Sequence, residues 1–157
     1  MTAGYETGSL HGSGGKMKRL LPIGLLLLLL GGCGSDYVHV AGPFYLSYIE
    51  TPDQMALVRC PNGPENGCAG DGLPGETVYA AGANDRYIVF VRHPHGVDHS
   101  FDRRVSEYFY FARIKNEWQG WGNEPEKVVG PLTDNQFQIA KWKLGLPNFS
   151  IFIDDLK

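Results

Sequence analysis

The stretch "TVYAAGANDRYIVFVR", residues 77–92, decides the fold. Two runs rich in Val, Ile, Tyr and Phe, Thr77–Ala81 and Arg86–Arg92, flank Gly82-Ala83-Asn84-Asp85. β-Branched and aromatic side chains suit a pleated sheet surface, and a short Gly/Asn/Asp connection turns one strand back on the next. The stretch therefore predicts an antiparallel hairpin. Tyr87 to Val91 is apolar at every position. Both faces of that strand must be covered, which makes it a central strand.

Further strands follow on either side. "FYLSYIE" (Phe44 to Glu50) and "MALVRC" (Met55 to Cys60) flank "TPDQ", a Pro-Asp turn, and read as another hairpin. Gly70 to Glu76 reads as loop. "EYFYFARI" (Glu107 to Ile114) is aromatic on both faces. "FSIFID" (Phe149 to Asp154) alternates Phe149, Ile151 and Ile153 against Ser150, Phe152 and Asp154.

One helix is signalled at both ends in "GPLTDNQFQIAKWKLGLP". Thr133 is placed as N-cap with Gln136 three residues on, a capping box. Asp134 in the first turn and Lys141 and Lys143 near the end suit the helix dipole. Gly145 is placed to close the helix and Pro147 forbids its continuation. Phe137, Ala140 and Leu144 share one stripe, the face that packs on the sheet. The expected class is α+β: a single antiparallel sheet of about five or six strands with one C-terminal helix on one face.

The segments "VYAAGANDRYIVFVRHP", "YFYFARI" and "GPLTDNQFQIAKWKLGLP" together resemble a family of small bacterial exported or lipoprotein domains without an assigned function. The resemblance covers roughly residues 77 to 147. It implies a fold and no activity.

The N-terminal part reads as an address. Lys18 and Arg19 precede an apolar run from Leu20 to Leu30. That run is too short for a spanning helix, which needs about 20 residues, and fits the core of a secretory signal. It ends in "LGGC", Leu30-Gly31-Gly32-Cys33. This resembles the lipobox of bacterial lipoproteins, in which the Cys thiol receives a diacylglycerol, the chain is cut before it and the new amine is acylated. The resemblance implies lipidation of Cys33. Several acyl chains on one residue anchor stably, at about 0.8 kcal/mol per buried CH₂. Gly34 stands where Asp marks retention at the inner membrane in that family. The implied location is the cell envelope, at the outer membrane facing the periplasm if the host has two membranes.

The organisation expected is therefore an upstream extension over 1–16, a misplaced start or an expression leader; a signal peptide over 17–32; a lipidated Cys33 with a tether over 33–42; and one domain over 43–157. Cleavage before Cys33 removes Lys16, Lys18, Arg19 and Glu6, leaving 11 basic and 16 acidic residues, a net charge of about −5. That balance excludes a nucleic-acid binder, which needs a basic face, and electrostatic adhesion to anionic lipid. Membrane contact is expected through the lipid alone.

Cys60 and Cys68 flank "PNGPENG". An exported chain meets an oxidising compartment, so these two are expected as a disulfide. Closing so short a loop contributes roughly 2.5 kcal/mol on the chain-entropy model.

Candidates for chemistry are few. "RHPHGVDHSFDRR" holds His93, His95, Asp98, His99 and Asp102 within ten residues. Imidazoles with carboxylates suit zinc, copper or nickel, and His93, His95, His99 and Asp102 form the candidate metal set. Arg92, Arg103 and Arg104 beside them oppose a cation and offer the aspartates ion pairs instead. Trp118 and Trp121, in a Gly-rich loop, are candidate contacts for a protein partner or a cell-wall glycan. Asp154 and Asp155 are adjacent, and Glu124 and Glu126 flank Pro125; neither pair is placed as an acid–base couple across a cleft. Nucleophile-elbow, zinc-protease and phosphate-loop motifs are absent from the sequence.

The expectation is a non-catalytic acyl-anchored envelope lipoprotein that binds a protein or cell-wall partner, without cofactor. A periplasmic immunity or inhibitor lipoprotein that neutralises a secreted toxin is the alternative. A metal-binding envelope protein using the His93 to Asp102 loop is the second alternative.

Overall fold

A computed structural model of the chain describes residues 36–70, 72–96, 100–115, 117 and 127–157. All of them belong to one unit, Ser35–Lys157. In chain order the elements are β1 (Tyr37–Ala41), β2 (Phe44–Ser47), β3 (Ala56–Arg59), β4 (Val78–Ala83), β5 (Tyr87–Arg92), β6 (Glu107–Ala112), β7 (Val129–Leu132), α1 (Asp134–Leu144) and β8 (Ile151–Phe152). Short 3₁₀ turns occur at Pro52–Gln54, Pro64–Asn66 and Asp154–Leu156.

The class is α+β, but the expected single sheet is two. One antiparallel sheet has the order β1-β2-β3 and the other β7-β6-β5-β4-β8. The reason lies in sidedness. In β2 and β3 the buried residues Phe44, Leu46 and Leu57 point to one side, whereas Tyr45 and Val58 are only half-buried. A strand pair apolar on one face buries that face by stacking on another sheet. Here it stacks on Ile88, Phe90, Phe109 and Phe111.

β1 and β7 were not legible as strands. Tyr37–Ala41 falls in the stretch expected as tether, and pairs with β2. Val129–Leu132 pairs with β6 at the sheet edge, where Pro131 costs no central ladder bond.

The hairpin at 77–92 forms, with Ala81 opposite Phe90, but Gly82 and Ala83, expected in the turn, are paired strand residues opposite Val89 and Ile88. Asn84 shapes its turn. The Asn84 side-chain oxygen accepts from the backbone N–H of Arg86 (2.9 Å) and of Tyr87 (2.8 Å). β5 is the middle strand of five. One of its faces, Ile88 and Phe90, meets the three-stranded sheet; the other, Tyr87 and Val89, meets α1. Gly82 is needed because β4 runs against the segment entering β8. A Cβ there would strike the Asn148 carbonyl.

The helix lies where the capping signals place it. Thr133 Oγ1 accepts from Gln136 N–H (3.4 Å), and Gln136 Oε1 accepts from Thr133 N–H (2.9 Å). Gly145 closes it at φ 68°, ψ 42°, its N–H donating to Lys141 O. Phe137 is fully buried and stacks on Tyr108 (5.0 Å) and Phe149 (5.5 Å), with Ala140 and Leu144 packed beside it. The disulfide Cys60–Cys68 is formed. Its loop is closed by a backbone pair between Arg59 and Ala69 (2.8 and 2.9 Å).

Phe137 is therefore the pin that holds α1 to the sheet. Phe137→Ala is expected to cost about 3–5 kcal/mol in urea unfolding. Trp142→Ala, at an exposed position on the same helix, is expected to stay within about 0.5 kcal/mol of wild type.

Candidate functional site

Among the described residues, side chains capable of binding or chemistry gather in the loop after β5, at the opposite end of the five-stranded sheet, and on the outer face of α1.

In the first, the candidate histidines part company. His93 is 3% exposed. Its ring lies between Tyr79 (4.3 Å, stacked) and Phe101 (6.1 Å). Nδ1 stands 2.7 Å from Val105 O and Nε2 3.1 Å from Leu156 O. A neutral ring supplies one donor to these two acceptors and an imidazolium two. Both nitrogens thus address backbone. His95 is part-exposed and points elsewhere, with Nε2 3.3 Å from Thr77 Oγ1 and 3.7 Å from Glu76 Oε2. Asp102 accepts a two-pronged contact from Arg104, Nε to Oδ1 and Nη2 to Oδ2, both at 2.8 Å. His99 and Asp98 lie outside the described residues. Among the described residues no three His, Cys, Asp or Glu are grouped to hold a metal ion.

The loop grips the C-terminal turn. Besides His93, Arg103 donates to Asp155 O (2.8 Å) and Lys157 O (3.1 Å) while its guanidinium covers Phe101. Asp154 and Asp155, expected at the end of a strand, sit instead in the turn Asp154–Leu156, which buries Leu156.

At the other end of the sheet, Arg59 and Glu117 are buried together, 58 residues apart in sequence. Arg59 Nη1 donates to Glu117 O (3.1 Å). The Glu117 carboxylate is forked by Arg113, whose Nε donates to Oε2 at 3.1 Å and whose Nη2 donates to Oε1. Arg113 also donates to Asn84 O (3.1 Å), tying the network to the β4–β5 turn. The hydrogen bond to Glu117 raises the Arg113 pKa, burial opposing it. A cavity of about 320 Å³ adjoins, lined by Asp85, Arg113, Ile114, Lys115 and Glu117. Arg113 pairs with the Glu117 carboxylate and Arg59 with the Glu117 carbonyl, which suits a structural joint. Nothing local in the sequence pairs Arg59 with Glu117. Trp118 and Trp121 lie outside the described residues.

The third place is the one the sequence reading passed over. Trp142 is 84% exposed and Ile139 47%. Both sit on the side of α1 away from Phe137, and they are neighbours at i, i+3. Lys141 and Lys143 flank Trp142, and Arg86 reaches the helix end through Nη2 to Leu144 O (3.3 Å). The signal was present: on a 3.6-residue wheel, positions 139 and 142 fall opposite the stripe of Phe137, Ala140 and Leu144.

No protein-family model, no curated protein and no solved structure matches the chain. Among the described residues no helix is long and apolar enough to cross a membrane.

The Arg104 fork, chiefly through its side-chain hydrogen bonds, holds the Asp102 carboxyl down at about 2. An Asp whose folded-state pKa is depressed contributes stability above the unfolded value of about 3.9, and that contribution is lost as pH falls through the folded value. A carboxyl-carbon NMR titration is expected to place the Asp102 midpoint at about 2. Arg104→Ala is expected to return it to the ordinary carboxylate range.

Proposed function

We propose that this chain is a non-catalytic lipoprotein of the cell envelope, anchored by acyl chains on Cys33. In this reading its domain binds a protein partner through the outer face of α1. The observation that carries the reading is Trp142, exposed beside Ile139 on a helix whose other face is fully engaged. Tryptophan is the residue type most often found at the energetic centre of a protein interface. Leaving it in water on a rigid, doubly capped helix has no role in folding. Lys141 and Lys143 flank it in sequence, Lys141 donating to Asn148 Oδ1 (2.7 Å), and Arg86 lies at the helix end, in a chain of net negative charge. They suit a partner that sets carboxylates around an apolar socket, with charge guiding the encounter. Anchoring rests on the lipobox resemblance at Leu30 to Cys33 and on the basic pair and apolar run before it. With Gly34 after the cysteine, a host with two membranes is expected to carry the protein on its outer membrane, facing the periplasm.

Capture of crosslinked partners from cells tests this, using wild-type chain, Cys33→Ser and Trp142→Ala. One protein recovered near one-to-one is expected with wild type. Its recovery is expected to fall at least about tenfold with Trp142→Ala, the loss typical of an interface hot spot. Raised ionic strength is expected to weaken it further. Equal recovery with and without the Trp142 side chain removes α1 from the interface. Binding to peptidoglycan fragments in place of a protein assigns the tryptophan to a sugar ring.

A further inference from the structure

We propose that the outer face of the three-stranded sheet rests on the bilayer that holds the lipid, so that α1 points away from the membrane. The inference rests on lipidation of Cys33 and deepens that reading by giving the anchored domain an orientation.

The first observation is an uncovered row of side chains. Val38 and Val40 of β1 and Phe44, Leu46 and Leu57 of β2 and β3 pack in the core. The alternate residues face outward: Tyr37, His39, Tyr45 and Val58. They are in register across the sheet, His39 opposite Tyr45 and Tyr45 opposite Val58. Their rings touch, Tyr37 edge-on to Tyr45 at 6.3 Å and His39 tilted on Tyr45 at 4.9 Å. Tyr37 is 38% exposed. The row holds no Lys, Arg, Asp or Glu.

The second observation is the length of chain that joins this row to the anchor. Only Gly34, Ser35 and Asp36 separate Cys33 from Tyr37. Four residue steps reach at most about 14 Å. The acyl chains on Cys33 begin at the lipid surface. The start of β1 is therefore held within the depth of the headgroup layer or just above it. The edge strand β1 and the face it belongs to are the part of the domain that cannot leave the membrane.

Chemistry fits the contact. Tyrosine has an apolar body and a polar tip, and it settles at the boundary between headgroups and hydrocarbon. A row without Lys, Arg, Asp or Glu offers zwitterionic headgroups no permanent ionic partner, so the contact is expected to respond little to salt. This adds a protein surface to the membrane contact otherwise expected from the lipid alone.

The layering sets the consequence. Sheet residues Ile88, Phe90, Phe109 and Phe111 meet the three-stranded sheet, whereas Tyr87, Val89, Tyr108 and Tyr110 meet α1. The small sheet and the helix thus cover opposite faces of the large sheet. Packed layers lie about 10 Å apart. Trp142 then stands roughly 20 Å farther from the bilayer than Tyr45, where a partner reaches it.

The test uses the full chain isolated as the lipoprotein, with its mass recorded to establish acylation of Cys33. Nitroxide labels are placed through Tyr37→Cys, Tyr45→Cys and Trp142→Cys, one at a time, with Cys60 and Cys68 held in their disulfide. Each protein is reconstituted in phosphatidylcholine–phosphatidylethanolamine vesicles, and access of an aqueous nickel chelate to the label is measured. Labels at 37 and 45 are expected to lose access several-fold relative to the full-length Cys33→Ser chain without vesicles. The label at 142 is expected to stay open, and raised salt is expected to change neither. Acylated protein with 37 and 45 as accessible as 142 overturns the orientation while the anchor stands. Protection of 37 and 45 in the Cys33→Ser chain without vesicles also overturns it, assigning the face to a second copy or to the chain's own N-terminal segment. A mass without acyl chains defeats the anchored reading and the orientation with it.

Discussion

The middle of this protein is a pair of strands, β5 and β6, that is apolar on both sides. Phe90 and Phe109 stack at 5.0 Å in opposite register positions, and Phe111 meets Phe44 of the small sheet at 5.1 Å. On the reverse, Val89, Tyr108 and Tyr110 need their own cover, which Phe137 of α1 supplies. A strand pair so constituted cannot be left half in water, because each large side chain exposed forfeits about 1.5–3 kcal/mol of burial. The small sheet and the helix are both answers to that demand. Their positions on opposite faces follow from it.

The ends of the sandwich are held by polar joints. At one end, His93 sits under aromatic rings and meets carbonyls of the loop and of the C-terminal turn, with Arg103 reinforcing the grip. At the other, Arg59, Arg113 and Glu117 join β3 to the segment after β6 and to the β4–β5 turn. Buried ion pairs seldom add much net stability, since desolvation offsets attraction, but removing one partner strands the other. These clusters therefore serve as joints of fixed geometry. His93 and Glu117 thus have described partners in the backbone or in the cluster itself.

Several apolar side chains of the described residues stay exposed, Ile49, Val105 and Phe152 among them, and with them two groups: Trp142 with Ile139 on α1 and the tyrosine row on the three-stranded sheet. In the proposed reading these divide two tasks, one toward a partner and one toward the bilayer. The tyrosine row holds no Lys, Arg, Asp or Glu, whereas Lys141 and Lys143 flank the tryptophan in sequence. In the same reading a lipid on Cys33, separated from Tyr37 by three residues, would keep the start of β1 near the bilayer.

Much of the fold was legible because its signals are local. Thr133 with Gln136 and Gly145 mark the two ends of α1 within its own sequence; Asn84 writes its turn from its own side chain; Cys60 and Cys68 close a loop that their spacing allows. The continuous apolar character of Tyr87 to Val91 likewise announced a strand covered on both faces. Division into two sheets was a tertiary decision, because an alternating pattern states that one face is buried without naming what buries it. β1 and β7 escaped for the same reason: short segments with a Pro or an exposed His become strands only when a neighbour offers its edge. Side-chain fates were least legible of all. His93 and His95 share a dipeptide spacing and look like a chelating pair, yet one is drawn inward by carbonyls from residues 105 and 156 and the other toward Thr77. Arg59 finds Glu117 across the molecule. Residue type and spacing determined which groups were available; only the closure of distant segments decided which of them met.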